Sequence, residues 1–164
     1  MRQLIVIALL LVGTNVISHA QDRGPISIID FEELEPYLEE QNDTLYVFNF
    51  WATWCMPCIK ELPYFEQLHA EMNQKPFKQY LVSLDFAEKL ETRVIPFIEK
   101  NSIQSEVIIL DDPKANLWID KIDPSWSGAI PATYLRFGTK SLFYEGEFSS
   151  YEDLYTFVTN LLNN

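Results

Sequence analysis

Cysteine is scarce in this sequence, with two residues in 164. Two thiols exclude a dense disulfide scaffold and a four-cysteine zinc site. Glycine is limited to five residues, and no collagen-like period or Gly/Ser-rich linker is present. Positive charge is also short: 12 Lys and Arg face 24 Asp and Glu, a formal net charge of −12. Phosphate backbones are gripped largely by Lys and Arg, so nucleic acid is not an expected partner. Long apolar runs are missing too. Leu4 to Val12 gives nine residues, far short of the roughly 20 that a spanning helix needs.

What is present is material for one core. Hydrophobic residues make up 48% and aromatics 14%, which argues against long disorder, and the length suits one domain. The first residues read as a secretory signal peptide. Arg2 is the positive n-region, Leu4 to Val12 the apolar stretch, and Ser18-His19-Ala20 offers small residues at −3 and −1. Cleavage after Ala20 is expected, leaving 21–164 as a single domain. No cysteine follows the apolar stretch, so no lipid-modified cysteine is available there. Cleavage removes one basic residue, Arg2, and no acid, so the mature chain is slightly more negative. The expected address is periplasmic or otherwise extracytoplasmic, where thiols tend to oxidise and the two cysteines would pair.

The mature chain alternates strand and helix signals. Ile26 to Ile29 is a short apolar run. Asp30 and Glu33 form a capping-box pattern before a helix over 31–40. Thr44 to Trp51 is a buried strand by composition. A helix begins near Cys55, with Ile59, Leu62, Phe65, Leu68 and Met72 on one face and Pro63 set to kink it. Strands are expected over 77–84 and 106–110, and helices over 90–100 and 117–122. Ala132 to Phe137 and Leu142 to Phe148 form a hairpin around Gly138-Thr139, with a turn longer than the tightest type. A closing helix covers 151–162, capped by Ser149 or Ser150, with Glu152 and Asp153 favouring its N-terminus. The order β-α-β-α-β-α-β-α-β-β-α implies an α/β fold with parallel pairs and an antiparallel edge.

Cys55-Met56-Pro57-Cys58 stands where a strand gives way to a helix. Cys-x-x-Cys in that setting marks a dithiol redox site. The spacing brings the two side chains within bonding reach, and the helix N-terminus stabilises a thiolate. Cys55 is the candidate nucleophile and Cys58 the resolving thiol. Pro57 is tolerated in the first turn, where its missing N–H has no partner to lose.

The segment Phe50-Trp51-Ala52-Thr53-Trp54-Cys55-Met56-Pro57-Cys58 with Glu61-Leu62-Pro63, and a second segment Gly128-Ala129-Ile130-Pro131-Ala132-Thr133, resemble the thioredoxin superfamily. The closer resemblance is to its exported TlpA/ResA-like thiol-disulfide oxidoreductases. It implies a thioredoxin-like three-layer sandwich, a central mixed sheet flanked by helices. It also implies an extra helix–strand insertion, Glu91 to Asp123, before a cis-proline at Pro131 that faces the dithiol. The backbone of Ile130 would then pair with an extended substrate. Asn49 replaces the buried acid of thioredoxins, and the family's alternative acid matches Glu61. The catalytic candidates are therefore Cys55, Cys58 and Glu61, with Glu61 tuning thiol acidity or relaying protons. The substrate-binding candidates are Trp54, Met56, Pro57, Ile130 and Pro131.

The expected function is reduction of protein or peptide disulfides by a monomer recharged by a membrane electron donor. No cofactor beyond the dithiol is expected, and no metal. Disulfide donation, Cu(I) carriage and non-catalytic peptide capture stay open, although no histidine follows His69 to serve as a copper ligand. A peroxidase is disfavoured, because no Pro-x-x-x-Thr-x-x-Cys pattern occurs. Trp51 and Trp54 either shield the site and contact substrate or serve as core and rim, with core the favoured reading for Trp51. Trp126 is either a cleft wall or ordinary packing. His69 is read as a partly buried, non-ligand histidine on the face of Leu62 and Phe65. The pairs Glu32-Glu33, Glu39-Glu40 and Asp111-Asp112 are read as solvated surface, with steering of a basic partner as the less favoured reading.

Overall fold

The computed structural model describes residues 25–72 and 75–163. The expected signal peptide, 1–20, lies outside the described residues. The elements are β1 (Ile26–Ile29), α1 (Phe31–Leu38), β2 (Leu45–Trp51), α2 (Met56–Met72), β3 (Phe77–Ser83), α3 (Ile95–Lys100), β4 (Glu106–Leu110), α4 (Ala115–Ile122), β5 (Ala132–Phe137), β6 (Lys140–Glu145) and α5 (Tyr151–Asn163). Their order is the one that the apolar patterning implies.

Six strands form one sheet in the order β1-β4-β3-β2-β5-β6. The first three neighbouring pairs are parallel, and β5 and β6 add an antiparallel edge. Every residue of β2 is buried, because helices cover both faces of the sheet. Alternation along β2 sorts its side chains into two cores. Leu45, Val47 and Trp51 join α2, α3 and α5. Tyr46, Phe48 and Phe50 join α1 and α4 on the other face. This is the thioredoxin-like three-layer arrangement. Among the described residues no helix is long and apolar enough to cross a membrane.

Local signals explain several boundaries. The Asp30 side chain accepts from Glu33 N–H at 3.0 Å, and Glu33 Oε2 accepts from Asp30 N–H at 3.2 Å. This closes the capping box before α1, a device worth about 1 kcal/mol. Asp153 N–H donates to Ser150 Oγ at 3.2 Å, so Ser150 rather than Ser149 bonds the first turn of α5. α2 continues through Pro63 to Met72.

Two expectations need correction. The helix expected over 90–100 is composite. A 3-10 turn at Ala87–Lys89 leads into a wider π turn at Leu90–Val94, and α3 follows. Pro96 lacks the N–H that would bond one turn back, and Ile95 N–H instead reaches Leu90 O, five residues away. The hairpin is also tighter than expected. Phe137 pairs with Lys140, leaving only Gly138 and Thr139 in the turn, and Gly138 takes the positive φ of +57° that such a turn demands. Lys140 and Ser141 are polar because β6 is a sheet edge with an exposed face. Phe148, expected to end that strand, lies beyond it and is buried in the α2/α5 core.

Candidate active site

The chain leaves the sheet at the end of β2 in a short turn. Cys55 N–H donates to Ala52 O at 3.1 Å, and Cys55 O accepts from Ile59 N–H at 3.0 Å, beginning α2. Cys55 therefore sits where a helix N-cap sits, and its sulfur takes the place of a capping oxygen. Cys58 N–H donates to Cys55 Sγ at 3.3 Å. An unpaired helix N–H and the positive end of the helix dipole both favour negative charge on that sulfur when the pair is reduced.

The two cysteines are joined to each other, with Cα atoms 5.3 Å apart. Cys55 is 6% exposed and Cys58 0%, so only Cys55 offers surface to an incoming sulfur. Opposite it, the Ile130–Pro131 peptide is cis, as the resemblance implies. The carbonyl oxygen of Ile130 lies 3.6 Å from Cys55 Sγ. Ile130 is half-buried and Pro131 buried, with Pro131 O accepting from Gly146 N–H at 3.0 Å. Trp54 and Met56 are 57% and 64% exposed, and Pro57 is half-buried. The sequence-derived candidates thus fall into an exposed apolar flank and a more buried proline wall around one sulfur.

Behind the dithiol lies a buried polar group. Glu61, one helical turn after Cys58, is fully buried. Its Oε1 accepts from Asn49 Nδ2 at 2.8 Å, and its Oε2 from Phe148 N–H at 2.8 Å. Asn49 Nδ2 also reaches Thr133 Oγ1 at 3.4 Å, so β2, α2, β5 and the segment between β6 and α5 meet here. Burial pushes the Glu61 carboxyl up to about 7, against the opposing pull of the Phe148 and Asn49 donors, with the Glu147 charge adding to the rise. A carboxyl with that affinity exchanges protons near neutral pH.

Asp85 was not among the sequence-derived candidates. It follows β3 and is buried. Its carboxylate accepts from Thr53 N–H at 2.8 Å, from Thr53 Oγ1 at 2.6 Å and from Ser83 Oγ at 2.9 Å. Thr53 lies two residues before Cys55, so Asp85 braces the turn that leads into Cys55. The only sequence signal for it is an acid directly after an apolar strand.

The remaining candidates resolve simply. Trp51 is core, fully buried, with its ring 5.3 Å from that of Phe97. Trp126 is buried against Phe50 at 4.8 Å, the packing reading, and also borders a cleft at the ends of β3 and β4. His69 is half-buried on α2. Among the described residues no group of three His, Cys, Asp or Glu is arranged to hold a metal ion.

Comparison with known proteins agrees with this geometry. The chain is 50% identical to the thiol-disulfide oxidoreductase ResA of Oceanobacillus iheyensis over 42 residues, 26% of this chain and 22% of that protein. It is 30% identical to the protein of the same name from Bacillus cereus over 82 residues, 50% of this chain and 46% of that one. The matches thus span less than half the length of these curated relatives. Among solved structures, a thiol:disulfide interchange protein of the thioredoxin family from Chlorobium tepidum superposes with a TM-score of 0.60 at 24% identity. That match covers 78% of this chain and 84% of the other and supports the shared fold. The model of the AhpC/TSA family matches residues 29–135, the larger part of the sequence, and the chain belongs to that family.

Proposed function

We propose that this chain is an extracytoplasmic thiol-disulfide oxidoreductase that reduces protein disulfides through Cys55 and Cys58. The observation that carries the reading is the placement of Cys55 Sγ. It belongs to the more exposed cysteine of the pair, it accepts a helix N–H, and it lies 3.6 Å from the carbonyl preceding cis-Pro131.

In the reduced protein the Cys55 thiolate attacks one sulfur of a substrate disulfide. That bond breaks, its electron pair leaves on the second substrate sulfur, and this sulfur takes up a proton. A mixed disulfide now joins Cys55 to the substrate. Cys58 loses its proton and attacks Cys55 Sγ, releasing the remaining substrate sulfur as a thiol and closing the Cys55–Cys58 bond. Glu61 titrates near neutral pH, and its ionised form is suited to accept the proton that Cys58 gives up. Trp54, Met56 and Pro57 flank the incoming polypeptide, and the Ile130 backbone pairs with it. Two electrons from a membrane donor return the pair to the dithiol.

Export after cleavage near Ala20, with 21–164 acting as one monomeric domain, is part of the same reading. The neutral Asn49 and the likeness to ResA support the reducing direction.

The test is the reduction potential, measured by equilibrating residues 21–164 in graded thiol–disulfide buffers and counting free thiols. A value near ~−270 mV or lower fits a reductase, and a value near ~−120 mV reverses the direction and makes the protein a disulfide donor. Absence of any reversible couple removes the exchange reading and turns attention to Cu(I) or peptide binding.

A further inference from the structure

A cleft of about 220 Å³ opens at the C-terminal ends of β3 and β4, bordered also by α4 and by Gly128. Small-molecule sites begin at roughly 300 Å³, so this cleft has the size for one side chain rather than for a cofactor. Trp118 and Trp126, both buried, line it with ring centroids 5.9 Å apart. Gly128 supplies bare backbone to its wall at φ +88°, where an added Cβ would meet Ile119 Cδ1 at 3.0 Å.

Hydrogen bonds tie the cleft to the dithiol from two sides. Asp85, in its wall, holds Thr53, two residues before Cys55. Trp126 Nε1 donates to Ala129 O at 2.8 Å. The next residue, Ile130, carries the carbonyl that faces Cys55 Sγ. A polypeptide joined to Cys55 and paired with the Ile130 backbone therefore passes within a few residues of the opening.

The rim carries one sign of charge. Asp111 and Asp112 line it above the buried Asp85, and among the described residues no Lys, Arg or His lines the cleft. Phe86 stands beside them, 71% exposed. Apolar walls under an acidic rim complement an apolar group next to a cation.

We infer that this cleft is a substrate subsite for one large apolar side chain of a disulfide-bearing polypeptide, with a Lys or Arg beside it at the Asp111 rim. This rests on the thiol-exchange reading above and specifies the substrate class of that same site. Cys55 supplies the chemistry, and the cleft selects which cysteine-containing segment reaches it.

The test uses the reduced protein, two disulfide peptides of equal length and hydroxyethyl disulfide. One peptide carries Phe-Lys beside the cysteine and the other Ser-Glu; hydroxyethyl disulfide has no side chain for the cleft. Second-order rate constants for each peptide are divided by the same protein's rate with hydroxyethyl disulfide, so a general loss of folding or thiol reactivity cancels. The native chain should prefer the Phe-Lys peptide by about tenfold or more, the scale on which apolar pockets discriminate. Ala115→Phe fills the cleft and should bring the preference close to one. Asp111→Lys, at an exposed position, should lower it by penalising Lys. Equal rates for the two peptides, or a preference that survives both substitutions, overturn the subsite while leaving the exchange reading intact. No exchange with any of the three disulfides overturns the exchange reading itself, and the subsite with it.

Discussion

Asn49 Nδ2 donates to Glu61 Oε1 at 2.8 Å inside a fully buried pocket behind the dithiol. The strand β2 supplies a neutral donor, and the acid sits on α2, the helix that carries Cys58. Both carboxylate oxygens face donors, which favours the ionised form, yet desolvation is the larger effect and leaves the group near pH 7. A proton can therefore enter or leave Glu61 without a large free-energy step at neutral pH.

That balance makes stability depend on pH in a defined window. The folded value of Glu61 is raised from 4.5 to about 7. As pH rises from about 4.5, the unfolded chain loses this proton first and the folded chain keeps it. Stability contributed by the neutral carboxyl is therefore lost between pH 4.5 and 7 and is flat above that window, with a full amplitude of about 3 kcal/mol. Urea unfolding of the oxidised protein, in which neither cysteine titrates, should show this fall. The difference between native protein and Glu61→Gln isolates it from other carboxyls. A difference that stays constant from pH 4.5 to 8 would show that Glu61 is not the group.

Asn49→Asp places a second carboxylate against the first. Two such groups at hydrogen-bond distance cannot both ionise in a buried site and share a proton instead. The variant should be less stable than the native protein by about 1–3 kcal/mol at pH 8, the cost of a mispaired buried polar group. The deficit should shrink at pH 5, where the pair holds an extra proton. Equal deficits at the two pH values would count against a shared-proton pair.

How much of this was legible in the sequence follows the range of the interactions. The capping box of Asp30 and Glu33 spans three residues and is readable by eye. So are the alternating faces of β2 and the Cys-x-x-Cys at a strand-to-helix junction. The cis geometry at Pro131 has no local signature in the residues and came from resemblance alone. The brace from Asp85 to Thr53 spans 32 residues, and that from Glu61 to Phe148 spans 87. Neither partner carries a pattern that names the other. Phe148 read as a strand residue because its aromatic ring suits a strand, but its role here belongs to its backbone N–H. Pro96 was visible, yet its effect on the preceding turn depends on which carbonyl the helix ladder loses.

Asp85→Ala tests the brace on the turn before Cys55. It removes the acceptor of Thr53 N–H and of two hydroxyls. Losing a partner to a charged, buried acceptor costs about 1.5–3 kcal/mol, so the midpoint of urea unfolding should fall accordingly. Because Thr53 positions Cys55, the alkylation rate of the reduced protein should also lose its single well-defined pH midpoint. Asp85→Asn, which keeps the shape and one acceptor, should recover part of both effects. An alanine variant with native stability and a native alkylation profile would show that the brace is idle.

The asymmetry of the two sulfurs gives the most direct prediction. Cys55 holds what exposure the pair has, and Cys58 has none. In Cys58→Ser the Cys55 thiolate still attacks a disulfide, but no second thiol is present to resolve the product. A stable mixed disulfide with a peptide substrate should accumulate to one per molecule and disappear on adding dithiothreitol, as mass spectrometry would record. In Cys55→Ser the remaining thiol is buried, and exchange should fall to the uncatalysed background. The reverse result, with the trapped adduct forming on Cys58, would mean that the buried sulfur becomes the accessible one on reduction. The helix N-terminus would then be stabilising the wrong atom for attack.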